Sequence, residues 1–190
     1  MDAFGDHALC CAQLGIYVCH NHLRNKFALL CKEAGLEVGI EKGPAGQSRR
    51  PGDCLVEGLC VDDPTAVDFA GVHPLQPSCN LAEVQPGKAA ARVEDMKRRE
   101  SVALCKREGW GFGTFVVETF GPFSSGARFL CQRLARVWAL KHELPLPEAS
   151  RVIHRALGCA WIRAVARQLE RGFPSGDDVP VTSPAPLMAL

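Results

Sequence analysis

The chain has 190 residues, is 47% hydrophobic and carries a formal net charge of +1, which suffices for one globular domain with a proper core and small additions. No run approaches the length of a transmembrane helix, so no membrane partner is expected. Its ten cysteines follow no signal peptide, since Met1 leads into Asp2 and Asp6 without an apolar segment, so the sequence predicts an intracellular protein with reduced core cysteines at 31, 54, 60, 79, 105, 131 and 159.

Charge is unevenly spread along the chain. Residues 1–126 hold 13 basic and 16 acidic side chains, residues 127–171 hold 9 and 3, and the remaining tail holds 0 and 2. The C-terminal part is therefore a basic module on a mildly acidic body, able either to bind a polyanion or to present a solvated arginine-rich helix face.

Taken in order, the N-terminal span GDHALCCAQLGIYVCHNHLRN crowds His7, Cys10, Cys11, Cys19, His20 and His22 together. His7 and Cys11 have the spacing of half a zinc site. A closed site needs four ligands and no Cys-x-x-Cys half lies before them, so Cys19 and His20 would have to complete it or there is no zinc. A helix is predicted from Asn21 to Ala34, with Leu23, Phe27, Leu30 and Cys31 as its apolar stripe and Gly35 as its stop. Leu36, Val38 and Ile40 alternate with Glu37, Gly39 and Glu41 as a first strand.

A polar loop then leads to RRPGDCLVEGLCVDDPTAVDFAGVHP, from Arg49 to Pro74. Asp53 heads one short apolar run and Asp68 sits inside a second, and the turn-forming Asp62-Asp63-Pro64 lies between them. Alternation puts Val67, Phe69 and Gly71 on one face of the second run and Asp68, Ala70 and Val72 on the other. An acid inside an apolar strand is costly unless it is paired or holds a metal. Two acids on neighbouring strands can converge at one sheet edge and hold a divalent cation through oxygen, or they can be exposed strand-end residues.

After a loop through Gly87, a helix is predicted from Lys88 to Glu108. Val93, Met96, Ala103 and Leu104 form its apolar arc, within which Lys97 and Glu100 point inward. A strand follows from Gly111 to Thr119, carrying Glu118 near its end. The glycines of GWGFG lack the strand-then-helix setting of a dinucleotide site. Ser124 or Ser125 caps a helix to about His142, and Pro147 opens another to about Arg171. The last helix has a core stripe of Val152, Ile153, Ala156, Leu157, Ala160, Trp161 and Val165. Arg151, Arg155, Arg163, Arg167 and Arg171 recur on its other side. Four prolines without periodicity predict a disordered tail over 173–190.

The order predicts an α/β sheet domain closed by two helices. With RPGD before one strand and an acid within the next, it resembles the restriction-endonuclease-like PD-(D/E)xK fold, specifically the restriction-like endonuclease domain of site-specific non-LTR retrotransposon reverse-transcriptase proteins. GDHALCC resembles the second half of the zinc motif preceding that domain, HNHLRN its RHNxLR signature, RPGD its RPD strand, VDFAGV its DVxV strand, and VEDMKRRE the helix that donates its lysine. The likeness spans about residues 5–140. It implies a partial zinc-knuckle-like segment over 1–20, a nuclease core over 21–126 and a basic helical pair over 127–172.

By that resemblance Asp53 and Asp68 hold Mg²⁺ or Mn²⁺, and Lys97 supplies the lysine whose usual position, two residues after the second acid, is Ala70 here. Lys97 can instead pair with Glu94 or Glu100 with its amine at the surface. His20 and Asn21 position phosphate or brace the first helix, and Glu33, Glu41 and Glu118 are candidate further ligands or ordinary acids. Arg50, Arg151, Arg155, Arg163 and Arg167 are the expected contacts to DNA, and a nuclear location follows from that partner. Cys19 stands where the family has an arginine, the first zinc half is missing and no reverse transcriptase precedes the domain, so the expectation is a detached piece of a retroelement protein. Two other readings remain: a nucleic-acid-binding remnant without catalysis, and an interaction protein whose C-terminal helices dock a partner.

Overall fold

In a computed structural model, residues 9, 16–41, 43, 50–60, 63–76 and 85–172 are described. They form four long helices and a four-stranded mixed sheet: α1 (Ile16–Glu33), β1 (Glu37–Ile40), β2 (Cys54–Cys60), β3 (Asp63–Val72), α2 (Lys88–Arg107), β4 (Gly111–Glu118), α3 (Ser125–Lys141) and α4 (Leu146–Gly172). His7 and Cys11, the expected disordered tail and the expected core position Cys79 lie outside the described residues.

Strand order is β1-β2-β3-β4. The first three strands form an antiparallel meander, and α2 carries the chain over to β4, which runs parallel to β3 with Asp68 opposite Thr114. β3 is covered on both sides. Val67 and Phe69 face the main core with α1, α3 and α4, while Val72 joins Ala90 and Val116 under α2. Phe69 stacks on Phe115 at 5.3 Å, and Phe27 of α1 sits edge-on to both rings. Gly71 has no room for a side chain, because a Cβ there would strike the ring of Trp161.

Several expected boundaries shift. α1 begins at Ile16, a turn or more before Asn21, which places His20 inside the helix. Asp63 and Pro64 are the first residues of β3 rather than turn residues. Asp63 pairs with Cys60 across a bulged stretch of β2, where Gly58 takes a left-handed φ of 79°. Within the last helix Val152 is 41% exposed, and Ala149, Ile153, Leu157, Trp161 and Ala164 form the buried stripe. Cys159 is an exposed thiol on α4 rather than a core cysteine, while Cys19, Cys31, Cys54, Cys105 and Cys131 are buried.

The largest correction concerns α2. Met96 is half exposed, Ala103 and Glu100 face outward, and the buried face is Ala90, Glu94, Ser101, Leu104 and Cys105. The sheet beneath this helix presents Asp68, Thr114 and Glu118 as well as apolar residues. Polar groups leaving water need partners, so the helix turns Lys97 to Asp68 and Glu94 to the start of α3, and leaves Met96 outside. None of the described helices is long and apolar enough to cross a membrane.

Candidate active site

Asp53 ends the loop into β2 and is fixed through both its backbone and its side chain. Its N–H donates to Val67 O at 2.9 Å, its carbonyl accepts from Glu41 N–H at 2.8 Å, and its Oδ2 accepts from Phe69 N–H at 2.8 Å. The glycine of RPGD makes this approach feasible, since a Cβ at Gly52 would lie only 3.0 Å from Val67 O. His20 of α1, edge-on to Phe69, brings Nε2 to 3.3 Å from Asp53 Oδ2.

Asp68 projects from the middle of β3 toward α2, where Lys97 Nζ donates to its Oδ2 at 2.7 Å. These side chains are only 19% and 17% exposed. Their attraction is therefore screened far less than that of a surface pair. The Asp53 and Asp68 carboxyls lie close enough that each acts on the other's ionisation. Four segments, α1, the start of β2, β3 and α2, thus deliver His20, Asp53, Asp68 and Lys97 to one place.

The two acids are driven in opposite directions. Burial pushes Asp68 up to about 6, assisted by the neighbouring Asp53 charge and resisted by the Lys97 ammonium. Burial would raise Asp53 too, but its hydrogen bonds with His20, Phe69 N–H and Asp68 outweigh that and hold it down at about 2. One carboxyl is thus kept ionised while its neighbour readily takes a proton, a division expected where like charges are forced together.

The other sequence candidates separate from this pair or play different parts beside it. Glu41, with a left-handed φ of 55°, accepts from Arg24 at 2.9 Å and from Arg50 at 3.0 Å, and these two guanidiniums hold its carboxyl below its ordinary range. Arg24, nearly buried, is a residue that sequence reasoning passed over; the signal was a guanidinium directly beside the Leu23–Phe27 core stripe. Asn21 is exposed on α1. Glu33 is exposed at the other end of that helix, about 20 Å along the axis from His20. Glu118 is buried, and its carboxylate accepts from the N–H groups of Gly87, Ala89 and Ala90 at 2.9, 3.1 and 3.2 Å, anchoring the start of α2. Lys97 pairs with Asp68, and Glu94 accepts from Ser125 and Gly126. Cys19 donates its thiol to Gln168 Oε1 at 2.9 Å, and burial pushes it up to about 11.

Arg151, Arg155 and Arg163 line, with Lys26 of α1, a groove of about 870 Å³ whose one acid is Glu148. Arg167 is exposed one turn further along α4.

Among the described residues no group of three or more His, Cys, Asp or Glu side chains is arranged to hold a metal ion. The donor set that does exist suits a hard cation: two carboxyls in contact, whose mutual repulsion a divalent ion would relieve. Mg²⁺ in particular keeps several waters and binds through one or two carboxylates plus substrate phosphate. Comparison with protein-family models finds none that matches this chain, and comparison with curated proteins finds no match either.

Proposed function

We propose that the chain is a metal-dependent DNA endonuclease of the restriction-endonuclease-like PD-(D/E)xK type, related to the nuclease domain of site-specific non-LTR retrotransposons. The observation that carries this reading is the convergence of Asp53, whose Oδ2 accepts from Phe69 N–H at 2.8 Å, with Asp68, whose Oδ2 accepts from Lys97 Nζ at 2.7 Å. The order helix, antiparallel meander, helix and parallel strand supports it at the level of fold. Ala70, where the usual lysine would stand, is half-buried under α2 with Val72 and Val93, and α2 supplies the amine from above instead.

A Mg²⁺ or Mn²⁺ ion held by Asp53 and Asp68 would lower the pKa of a bound water and offset charge building on phosphorus. The chain's own groups do the rest. His20 and the Phe69 N–H hold Asp53 ionised and in one orientation. Lys97, with three donors and one engaged by Asp68, has two left to orient a water or to face a phosphate oxygen. Arg50, beside the site on Glu41, is positioned to meet the neighbouring backbone phosphate.

The test is nicking of supercoiled plasmid by the purified chain with Mg²⁺ or Mn²⁺. Conversion to open circles that disappears in Asp68→Ala is expected; no nicking, or nicking that survives that change, ends the catalytic reading. The arginine-lined groove on α1 and α4 favours a second reading, nucleic-acid binding without cleavage. In that case binding would be lost steeply with salt and be indifferent to both aspartates.

A further inference from the structure

Beside the acid and lysine pair lies a second groove, of about 460 Å³, along the N-terminal half of β4 between α2 and α3. That volume falls within the ~300–1,000 Å³ range of small-ligand pockets. At Gly111, which lines it, a Cβ would stand 3.4 Å from Thr65 Oγ1, whereas at Gly113 Leu130 fills that space. Two features mark it as built to receive something. The hydroxyls of Thr65 and Thr114 are buried, line this groove, and have no hydrogen-bond partner among the described residues. An orphaned buried hydroxyl bears its full desolvation cost, which a polar group bound at this groove would relieve.

The second feature is the wall chemistry. Phe129 is 54% exposed, an unusual setting for a phenyl ring, and it faces the same groove as half-buried Phe112. Glu94, nearly buried, is held by Ser125 Oγ at 3.0 Å and Gly126 N–H at 3.1 Å, one donor on each oxygen, which leaves acceptor capacity on both. Arg98 stands exposed at the rim. Aromatic faces, a fixed carboxylate acceptor, hydroxyls that donate or accept, and one peripheral cation together suit a nucleobase with its attached phosphate.

Position ties the groove to the site. Thr114 is the cross-strand neighbour of Asp68, Arg98 follows Lys97 in sequence, and Glu94 lies one turn before it. Resting on the nuclease reading for its ligand class, we propose that this groove holds one unstacked base of the substrate strand beside the phosphodiester that is cut. Phe129 and Phe112 stack on the ring, Glu94 accepts from an exocyclic amine, and Arg98 meets the adjoining phosphate. Bases bearing an amine, cytosine, adenine or guanine, are preferred over thymine.

The probes are the four deoxynucleoside 5′-monophosphates and inorganic phosphate, titrated without divalent cation into the full chain, with NMR shifts of the groove residues as the readout. The amine-bearing nucleotides are expected to bind at least about threefold tighter than dTMP and about tenfold tighter than phosphate. Phe129→Ala, at an exposed position, should weaken all four nucleotides about tenfold, and Thr114→Val should weaken them without unfolding the chain. No nucleotide binding, phosphate binding as tightly as nucleotide, or indifference to Phe129→Ala each overturns the assignment. Plasmid nicking separates the two readings: nicking without nucleotide binding removes the base pocket alone, and nucleotide binding in this pattern without nicking removes the nuclease reading alone.

Discussion

Asp68 and Asp53 sit side by side under opposing demands, and that opposition sets the pH behaviour of the free protein. Asp68 has its folded pKa raised from 3.8 to about 6, so its contribution to stability is complete below pH 3.8 and is lost as pH rises through about 6. Asp53, lowered from 3.8 to about 2, contributes above pH 3.8 and loses that contribution as pH falls toward 2. Metal-free protein is therefore expected to lose on the order of 2 kcal/mol between pH 4 and pH 6.5 in urea titrations, and Asp68→Asn should flatten that slope. Because protons and cation compete for the same carboxyl, Mg²⁺ should raise the melting temperature more at pH 7.5 than at pH 5. An equal rise at both would separate cation binding from Asp68. Lys97→Met strands a mostly buried carboxylate, a loss of about 3–5 kcal/mol where no relaxation occurs. It is expected to abolish nicking while raising the pH at which Asp68 titrates, as followed by carboxyl NMR. His20→Ala should cost about tenfold in nicking rate, because Asp53 keeps the Phe69 N–H but loses its imidazole.

Among the elements, α2 carries the most information. Its N-terminus is gripped by Glu118, whose charge meets three backbone N–H groups and the positive end of the helix. Glu118→Gln should destabilise the fold by about 1–3 kcal/mol in denaturant titration yet leave the Mg²⁺-dependent rise in melting temperature in place. A lost rise with an unchanged fold would make Glu118 a ligand. Helices and strands were readable where local signals decide them. Ser124 accepts from Ala127 N–H as a cap, Gly35 takes φ 86° after α1, and β1 and β4 fall at Glu37–Ile40 and Gly111–Glu118, where the sequence places strands. The rotation of α2 was not readable, since Val93, Met96, Ala103 and Leu104 make a self-consistent arc. Only the polar residues of two strands distant in sequence favour Glu94 over Met96. The same reason hides the helix-anchoring role of Glu118 and the groove around Thr65 and Thr114. By contrast, Asp53, Asp68 and Lys97 were accessible because each breaks its local pattern, an acid in an apolar strand or a lysine on an inward face.

At the scale of the whole molecule, acid chemistry and basic surface lie on different parts of the fold. The aspartates meet α2 and the N-terminal part of α1, whereas Arg151, Arg155 and Arg163 line the outer groove of α1 and α4. If that groove follows a nucleic-acid backbone, Arg155→Gln with Arg163→Gln should reduce the salt slope of duplex binding by about 2. Measured across a series of salt concentrations, an unchanged slope would confine phosphate contacts to the neighbourhood of Asp53.

The crossover between β3 and β4 has a separate consequence. Both aspartates and His20 precede residue 77, and Lys97 with the whole of β4 follows residue 84. Neither portion of the chain holds all four of His20, Asp53, Asp68 and Lys97, and the two are joined by the packing of α1 on α4 and by the eight-residue parallel register from Thr65↔Gly111 to Val72↔Glu118. Parallel pairing of this kind is non-local and slow to form. A chain emerging from synthesis would thus display its acids before the amine exists to meet them, and become competent only when β4 docks. Split at that crossover, the protein would be a reconstitution pair in which strand reassembly is itself the signal, each half silent alone.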